Sequence, residues 1–248
     1  MKIDTNKLVN NTADNAFKSL MGSAVNGITE IPISQLIKTH NQPFKVIEDD
    51  EMDALIEDIK LNGVLEPVIV IQENEEYRIL AGHRRTYASK LAGKETVPCI
   101  IKNVESGTKK LIITNTNLTQ RKKFSPSELA KAYKMQLEGY QELNVHSVRT
   151  TAQIADDNNV SKRKIQYYLK LNDLIAPLLD LVDKEIITVK AGAQLSKLSV
   201  KEQEVLRKYL IGAGIKKLDL NYAVSITEQS KINKTIDMNY LENLFFST

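Results

Sequence analysis

The chain has one cysteine, Cys99, in 248 residues. An internal disulfide and any multi-cysteine metal site are therefore excluded. Cys99 lies in the apolar run Val97-Pro98-Cys99-Ile100-Ile101 and reads as a buried small hydrophobe. Tryptophan is absent and aromatics make up 6% of the chain, so an aromatic platform for stacking single-stranded bases is not expected. No apolar run approaches the roughly 20 residues needed to span a membrane. The N-terminus also lacks the apolar core of a signal peptide. These absences point to a soluble cytoplasmic protein with no membrane partner. A strong excess of one charge is missing too: 34 Lys and Arg face 31 Asp and Glu, a net charge of +3. Such a balance permits nucleic-acid binding without arguing for it, and the position of the charge matters more.

What is present suits a soluble globular protein, with 42% hydrophobic and 26% charged residues. Residues 1–27 are rich in Asn, Thr, Ser and Lys without a sustained period, which predicts a mobile arm. Residues 28–122 mix strand and helix signals. Ile31-Pro32-Ile33 suits an edge strand. Asp49 or Asp50 can cap a helix whose face is Met52, Leu55, Ile56 and Ile59, and Gly63 ends it. Val68–Ile71 and Tyr77–Leu80 read as a hairpin across a polar turn. Thr96–Ile101 is a further strand, and a helix follows Glu105 to about Leu118. An α+β unit of roughly 95 residues accounts for this order. Residues 123–214 carry no strand-like alternation and predict an all-helical domain. Ser125-Pro126-Ser127-Glu128 is a helix start, with Ser125 as cap, Pro126 at the first helical position and Glu128 three residues on. Leu174–Val182 and Val189–Leu210 also read as helices. Residues 215–248 form a tail whose apolar cluster, Tyr240, Leu241, Leu244, Phe245 and Phe246, can pack on the body or on a second copy.

The first domain is organised around Leu80-Ala81-Gly82-His83-Arg84-Arg85. A strand leads in, a helix from Arg84 to Leu91 leads out, and Gly93 closes that helix. Glycine between strand and helix lets the backbone approach a ligand. The first N–H groups of the helix attract anions, and Arg84 and Arg85 add two charged planar forks suited to phosphate. The alternative is a βα turn with solvated arginines. Two more segments look like parts of the same site: Gly63-Val64-Leu65-Glu66-Pro67-Val68, and Asn117-Leu118-Thr119-Gln120-Arg121. A triphosphate there would need a metal as well. Mg²⁺ keeps waters and phosphate oxygens, so a dense carboxylate cluster is not required.

Charge changes after this domain. From Lys109 to Lys134 the basic residues are Lys109, Lys110, Arg121, Lys122, Lys123, Lys131 and Lys134, against Glu128 alone. Contacts along this stretch would fall mostly on phosphates. Residues 150–171 fit a helix-turn-helix. Ile154 and small Ala155 form the inner face of its first helix. Asn159 sits where the turn needs a left-handed residue. Ser161 caps the second helix, and Val160, Ile165, Tyr168 and Leu169 supply core contacts. Lys162, Arg163, Lys164, Gln166, Tyr167 and Lys170 then point outward, as major-groove reading requires, with Gln153 and Ser161 beside them. The alternative is a helical hairpin with a solvated basic face.

Taken together, these segments resemble the ParB family of DNA-partition proteins over roughly residues 28–214. Gly63–Val68 matches the family's first nucleotide motif, Gly-(aliphatic)₂-(Gln/Glu)-Pro-(aliphatic). Gly82–Ala88 resembles the second, Gly-Glu-Arg-Arg-X-X-Ala. Asn117–Arg121, followed by Ser-Pro-Ser-Glu-Leu-Ala, resembles the third, Glu-Asn-X-Gln-Arg followed by Pro-X-Glu-X-Ala. The resemblance implies a ParB/sulfiredoxin-like α+β domain followed by an all-α helix-turn-helix domain. It implies a DNA clamp switched by CTP and Mg²⁺, binding a centromere-like inverted repeat in double-stranded DNA as a homodimer, with a ParA-type ATPase as partner. A bacterial plasmid or nucleoid is the implied location. The implied nucleotide residues are Gly63, Glu66, Gly82, His83, Arg84, Arg85, Asn117, Gln120 and Arg121, with Asn117 toward the metal. His83 stands where the family has glutamate. Aligned on Gln120-Arg121, Asn117 and Leu118 replace the family's Glu-Asn, which puts CTP hydrolysis in doubt more than binding. Three rivals remain: a transcriptional regulator of the same fold, a ParB-like nuclease and a sulfiredoxin-like enzyme. Sulfiredoxin chemistry needs a reactive cysteine beside the Gly-His-Arg turn, where this chain has Gly82. A nuclease would need acids clustered with a histidine at the cradle.

Overall fold

The computed structural model describes residues 27–39, 43–44, 48–120, 123–143 and 147–246, the side chains of 120 and 147–149 excepted. The expectation of a mobile arm over residues 1–27 lies outside this range apart from Gly27. The chain divides into two compact units, one ending at Gln120 and the other beginning at Arg121.

The first unit is built on a five-stranded mixed sheet. Its strands are β1 (Thr29–Pro32), β2 (Leu36–Ile37), β3 (Val68–Glu73), β4 (Glu76–Ala81) and β5 (Thr96–Ile101), in the order β1-β5-β3-β4-β2. The run Val68-Ile69-Val70-Ile71 is buried at every position, as a central strand covered on both faces must be. β3 runs antiparallel to β4 and parallel to β5. The hairpin turns at Asn74, whose φ of 58° is one that Asn tolerates. Pro98 lies in β5, inside the sheet, although proline cannot donate to a ladder. The pairing with β3 begins only at Cys99, so Pro98 sits beyond that ladder and faces Glu30 of short, outer β1.

Among the described residues, three α-helices and the 3-10 turn Ile33–Gln35 complete this unit. α1 (Asp50–Asn62) starts at Asp49, whose side chain accepts from the Met52 N–H, and stops at Gly63. α2 (His83–Leu91) follows β4 directly, and α3 (Ser106–Gln120) packs against β4. The core beneath β1, β3, β4 and β5 contains Ile31, Val68, Val70, Ile79, Val97 and Cys99, all almost solvent-free. Burial pushes the Cys99 thiol up to about 12, with Glu30 adding to the shift.

The second unit is helical among its described residues. Its helices are α4 (Pro126–Glu142), α5 (Ser147–Asp157), α6 (Lys162–Leu171), α7 (Ala176–Asp183), α8 (Val189–Leu195), α9 (Val200–Gly212), α10 (Leu220–Asn233) and α11 (Met238–Phe246). α4 opens on the capping box that Ser125 and Glu128 spell out. Ser127 then ties α4 to α7: its N–H and hydroxyl both donate to the Asp183 carboxylate, at 2.8 and 2.6 Å.

One expectation changes here. The stretch Val189–Leu210 is two helices, because Ser199 and Glu202 form a second capping box that starts α9 anew. Of the two packings open to the tail's apolar cluster, the described residues 215–246 take the first and pack on the body. α10 and α11 bury Ala223, Ile226 and Leu241 in the same core as Leu178, Leu195 and Leu206. Phe245 stacks on Tyr222 at 4.6 Å and on Tyr209 at 5.7 Å, while Phe246 stays exposed. Gly192 lets α8 press close: a Cβ there would fall 2.8 Å from Leu171 Cδ2. No helix among the described residues is long and apolar enough to cross a membrane.

Candidate functional site

Gly82 is the hinge of the first unit's site. It joins β4 to α2 with φ 101° and ψ 21°, and it has no side chain to cap the helix. The first intrahelical bond is Thr86 N–H to the Gly82 carbonyl at 2.9 Å. The N–H groups of His83, Arg84 and Arg85 are thus left without a capping side chain, which gives this helix start a partial positive charge.

The two arginines behave differently. Arg85 is the more buried and reaches back to the segment before β3. Its Nη1 donates to the carbonyls of Glu66 and, at 3.0 Å, Pro67, and lies 3.5 Å from the exposed Glu66 carboxylate. Burial pushes its guanidinium below its ordinary value and Glu66 pushes it back up. Arg85 therefore fastens Gly63–Val68 to the Gly82 turn, and these two predicted segments are brought together. Arg84 turns instead to Asp49, donating from Nη2 at 2.8 Å and from Nη1 at 3.3 Å. One turn further along α2, the Tyr87 hydroxyl bonds Glu48, which raises its pKa through the carboxylate's hydrogen bond and charge.

His83 is 8% exposed, and neither ring nitrogen has a hydrogen-bond partner. Burial, with a contribution from Lys38, pushes its imidazole down to about 4, so it is neutral at pH 7. Gly63 carries φ 73° at the end of α1. Asn117 lies on α3, where its Nδ2 donates to the Ile113 carbonyl of its own helix at 2.6 Å. Gln120 ends that helix. Its side chain and all of Arg121 lie outside the described residues. No group of three or more His, Cys, Asp or Glu that could hold a metal ion occurs among the described residues.

Sequence reasoning had Asp49 only as a helix cap, and it did not single out Lys38 or Glu48. Asp49 performs both tasks, since Oδ1 accepts the Met52 N–H at 2.9 Å as well as Arg84. Nothing in the local pattern points to a partner 35 residues away.

In the second unit, α5 and α6 meet through Ile154, Ala155 and Ile165, all buried. Asn159 turns the chain at φ 53°, and the Val160 N–H reaches back to the Ala155 carbonyl at 2.9 Å. Ser161 caps α6 by accepting from the Lys164 N–H. Tyr168 meets Tyr133 of α4 edge-on at 5.7 Å. Lys162, Arg163, Lys164, Gln166 and Lys170 are exposed, and Tyr167 is half-buried. Arg163 and Tyr167 hold each other: Nε donates to the phenol oxygen at 2.8 Å, and the guanidinium lies 5.7 Å from the ring centre. Gln153 is exposed on α5 and donates to Asp157 at 2.8 Å.

The family model of the ParB N-terminal domain matches residues 18–118. The "Probable chromosome-partitioning protein ParB" of Helicobacter pylori is 30% identical over 212 residues, covering 86% of this chain and 69% of that protein. The chain belongs to the ParB family. Stage 0 sporulation protein J of Bacillus subtilis is 28% identical over 234 residues, covering 89% of this chain and 80% of its own. The crystal structure of C-terminally truncated ParB from Caulobacter crescentus, complexed to the centromeric parS site, superimposes with a TM-score of 0.50. That likeness covers 81% of this ParB-family chain and 99% of the other at 21% identity, and it concerns the fold. An α+β ParB-type unit followed by a helical one is thus the fold read from the sequence.

Proposed function

We propose that this ParB-family chain is a DNA-partition protein whose second unit binds a centromere-like inverted repeat and whose first unit is switched by CTP. The observation that carries the proposal is the span of the family likeness: it runs over both units, and each offers a surface of the required chemistry. In the second unit, α5 and α6 act as a helix-turn-helix, with Lys162, Lys164, Gln166 and Lys170 toward base edges and phosphates. Ser161 fixes the start of α6, and Gln153 and the Arg163–Tyr167 pair flank it. In the first unit, the open start of α2 takes the phosphates, with Gly63 and Glu66 on the segment that Arg85 fastens to it, and Gln120 and Arg121 are further nucleotide contacts.

Magnesium, when bound, neutralises the triphosphate. With its Nδ2 committed to Ile113, Asn117 has Oδ1 to give it, a hard oxygen of the kind this ion accepts. Phosphate oxygens and water would supply the remaining ligands. A homodimer matches the two-fold symmetry of an inverted repeat, a ParA-type ATPase is the protein partner, and the nucleoid or a plasmid in the cytoplasm is the setting.

One observation favours a second reading, a DNA-binding regulator without a nucleotide. Both arginines of the turn are already engaged within the chain. The deciding experiment is binding of the four labelled NTPs with Mg²⁺, with and without DNA from the protein's own locus. Selective CTP binding stimulated by that DNA supports the switch. Tight DNA binding with no nucleotide binding replaces it with the regulator.

A further inference from the structure

Arg84 and Arg85 stand side by side at the start of α2 but are held in different ways. Arg85 is clamped by two main-chain carbonyls that precede a central strand. Arg84 is held by one side chain, and the pair is accessible: the side chains of Arg84 and Asp49 are 29% and 37% exposed. A carboxylate gripped by both Nη atoms presents two oxygens to a guanidinium as a phosphate does. We propose that Asp49 is a resident substitute anion for Arg84, which the phosphates of an incoming nucleotide must displace. This inference rests on the nucleotide reading above.

The geometry makes the exchange inexpensive. Asp49 Oδ1 also accepts the Met52 N–H at 2.9 Å. When Arg84 leaves, the carboxylate keeps this bond, and α1 keeps its cap. What changes is one half-exposed ion pair. The same segment carries a second acid, Glu48, bonded to Tyr87 one turn along α2. Two negative charges are thereby stationed at the mouth of an anion site. Any phosphate that binds has to outcompete one of them and tolerate the other. Asp49 therefore sets the affinity threshold of the site, and ligand binding in turn breaks the Asp49 tie to α2.

Asp49→Asn separates the two tasks of this residue, because asparagine caps a helix as well as aspartate and carries no charge. The full chain and the variant are titrated calorimetrically with inorganic triphosphate and with CTP, each with Mg²⁺. Asp49→Asn is expected to bind triphosphate at least about threefold tighter, the scale of a half-exposed ion pair. Arg84→Ala should bind poorly whether or not Asp49 is replaced. Equal or weaker binding by Asp49→Asn, with the wild type binding measurably, overturns the substitute-anion role alone. No binding by either chain overturns the nucleotide reading together with it. If Asp49→Asn fails to fold, Asp49→Ser, a neutral cap of similar quality, takes its place.

Discussion

A methyl group at Gly82 would stand 3.1 Å from Val68 Cγ2 and 3.3 Å from Val68 Cα. The backbone there also sits at φ 101°, where side chains are strained. Gly82→Ala should therefore lose stability on two counts, about 2–3 kcal/mol in urea unfolding. Gly93→Ala is the control. It shares the positive φ, but its Cβ would meet nothing within 4 Å, so a loss of about 1 kcal/mol is expected. Equal losses would show that Val68 yields and that only the backbone matters.

His83 should make the first unit sensitive to acid. Unfolded, it titrates near 6.5; folded, burial holds it at about 4. Between these values the unfolded chain binds a proton that the folded chain refuses. Stability is therefore fully present above about pH 6.5 and falls as pH drops toward 4. The loss amounts to at most about 3 kcal/mol from this group. Urea unfolding of wild type and His83→Leu across pH 7.5 to 4.5 tests it. The wild type should weaken by more than the variant over this range. Parallel curves would mean that another group carries the acid sensitivity.

These residues show where sequence reading reached and where it stopped. Gly82, Ser125, Asn159 and Ser161 were legible because each satisfies a local rule: a strand-to-helix turn, a capping box, a left-handed turn and an N-cap. The hairpin was legible from the polar turn between the apolar runs Val68–Ile71 and Tyr77–Leu80. The break at Ser199 was missed although it repeats the logic of Ser125, because continuous apolar periodicity from Val189 to Leu210 masked it. Whether the apolar cluster Tyr240–Phe246 packs on the body or on a second copy stayed open in the sequence, because α10 and α11 gain their place by packing on α8 and α9, in part through Tyr209, Tyr222 and Phe245. The Asp49–Arg84 pair was invisible for the same kind of reason. A contact across 35 residues leaves no trace in spacing.

Cys99 should be inert as a thiol. Its side chain is completely buried in the sheet core, and its pKa is pushed up to about 12. A shift from 9.0 lowers the thiolate fraction at pH 8 by roughly a thousandfold before burial blocks access. Ellman's reagent should therefore label the native chain only as fast as it opens, and label it at once in 6 M guanidinium. Rapid labelling under native conditions would place Cys99 at an exposed position and reopen the sulfiredoxin-like reading.

Lys162 and Arg84 together test whether the two units divide the labour. Lys162 is exposed at the first position of α6, where a side chain enters a groove earliest. Lys162→Ala should weaken binding to the specific site by about 1–3 kcal/mol and leave random DNA nearly unaffected. Equal weakening on both, with a salt dependence reduced by about one ion, would make Lys162 a phosphate contact. Arg84 lies in the other unit, tied to Asp49. Arg84→Ala should abolish CTP binding while specific DNA affinity, measured without nucleotide, stays within about twofold of wild type, as expected for an independent site. Loss of both activities in Arg84→Ala would show that the DNA surface depends on the first unit and would end the division of labour between them.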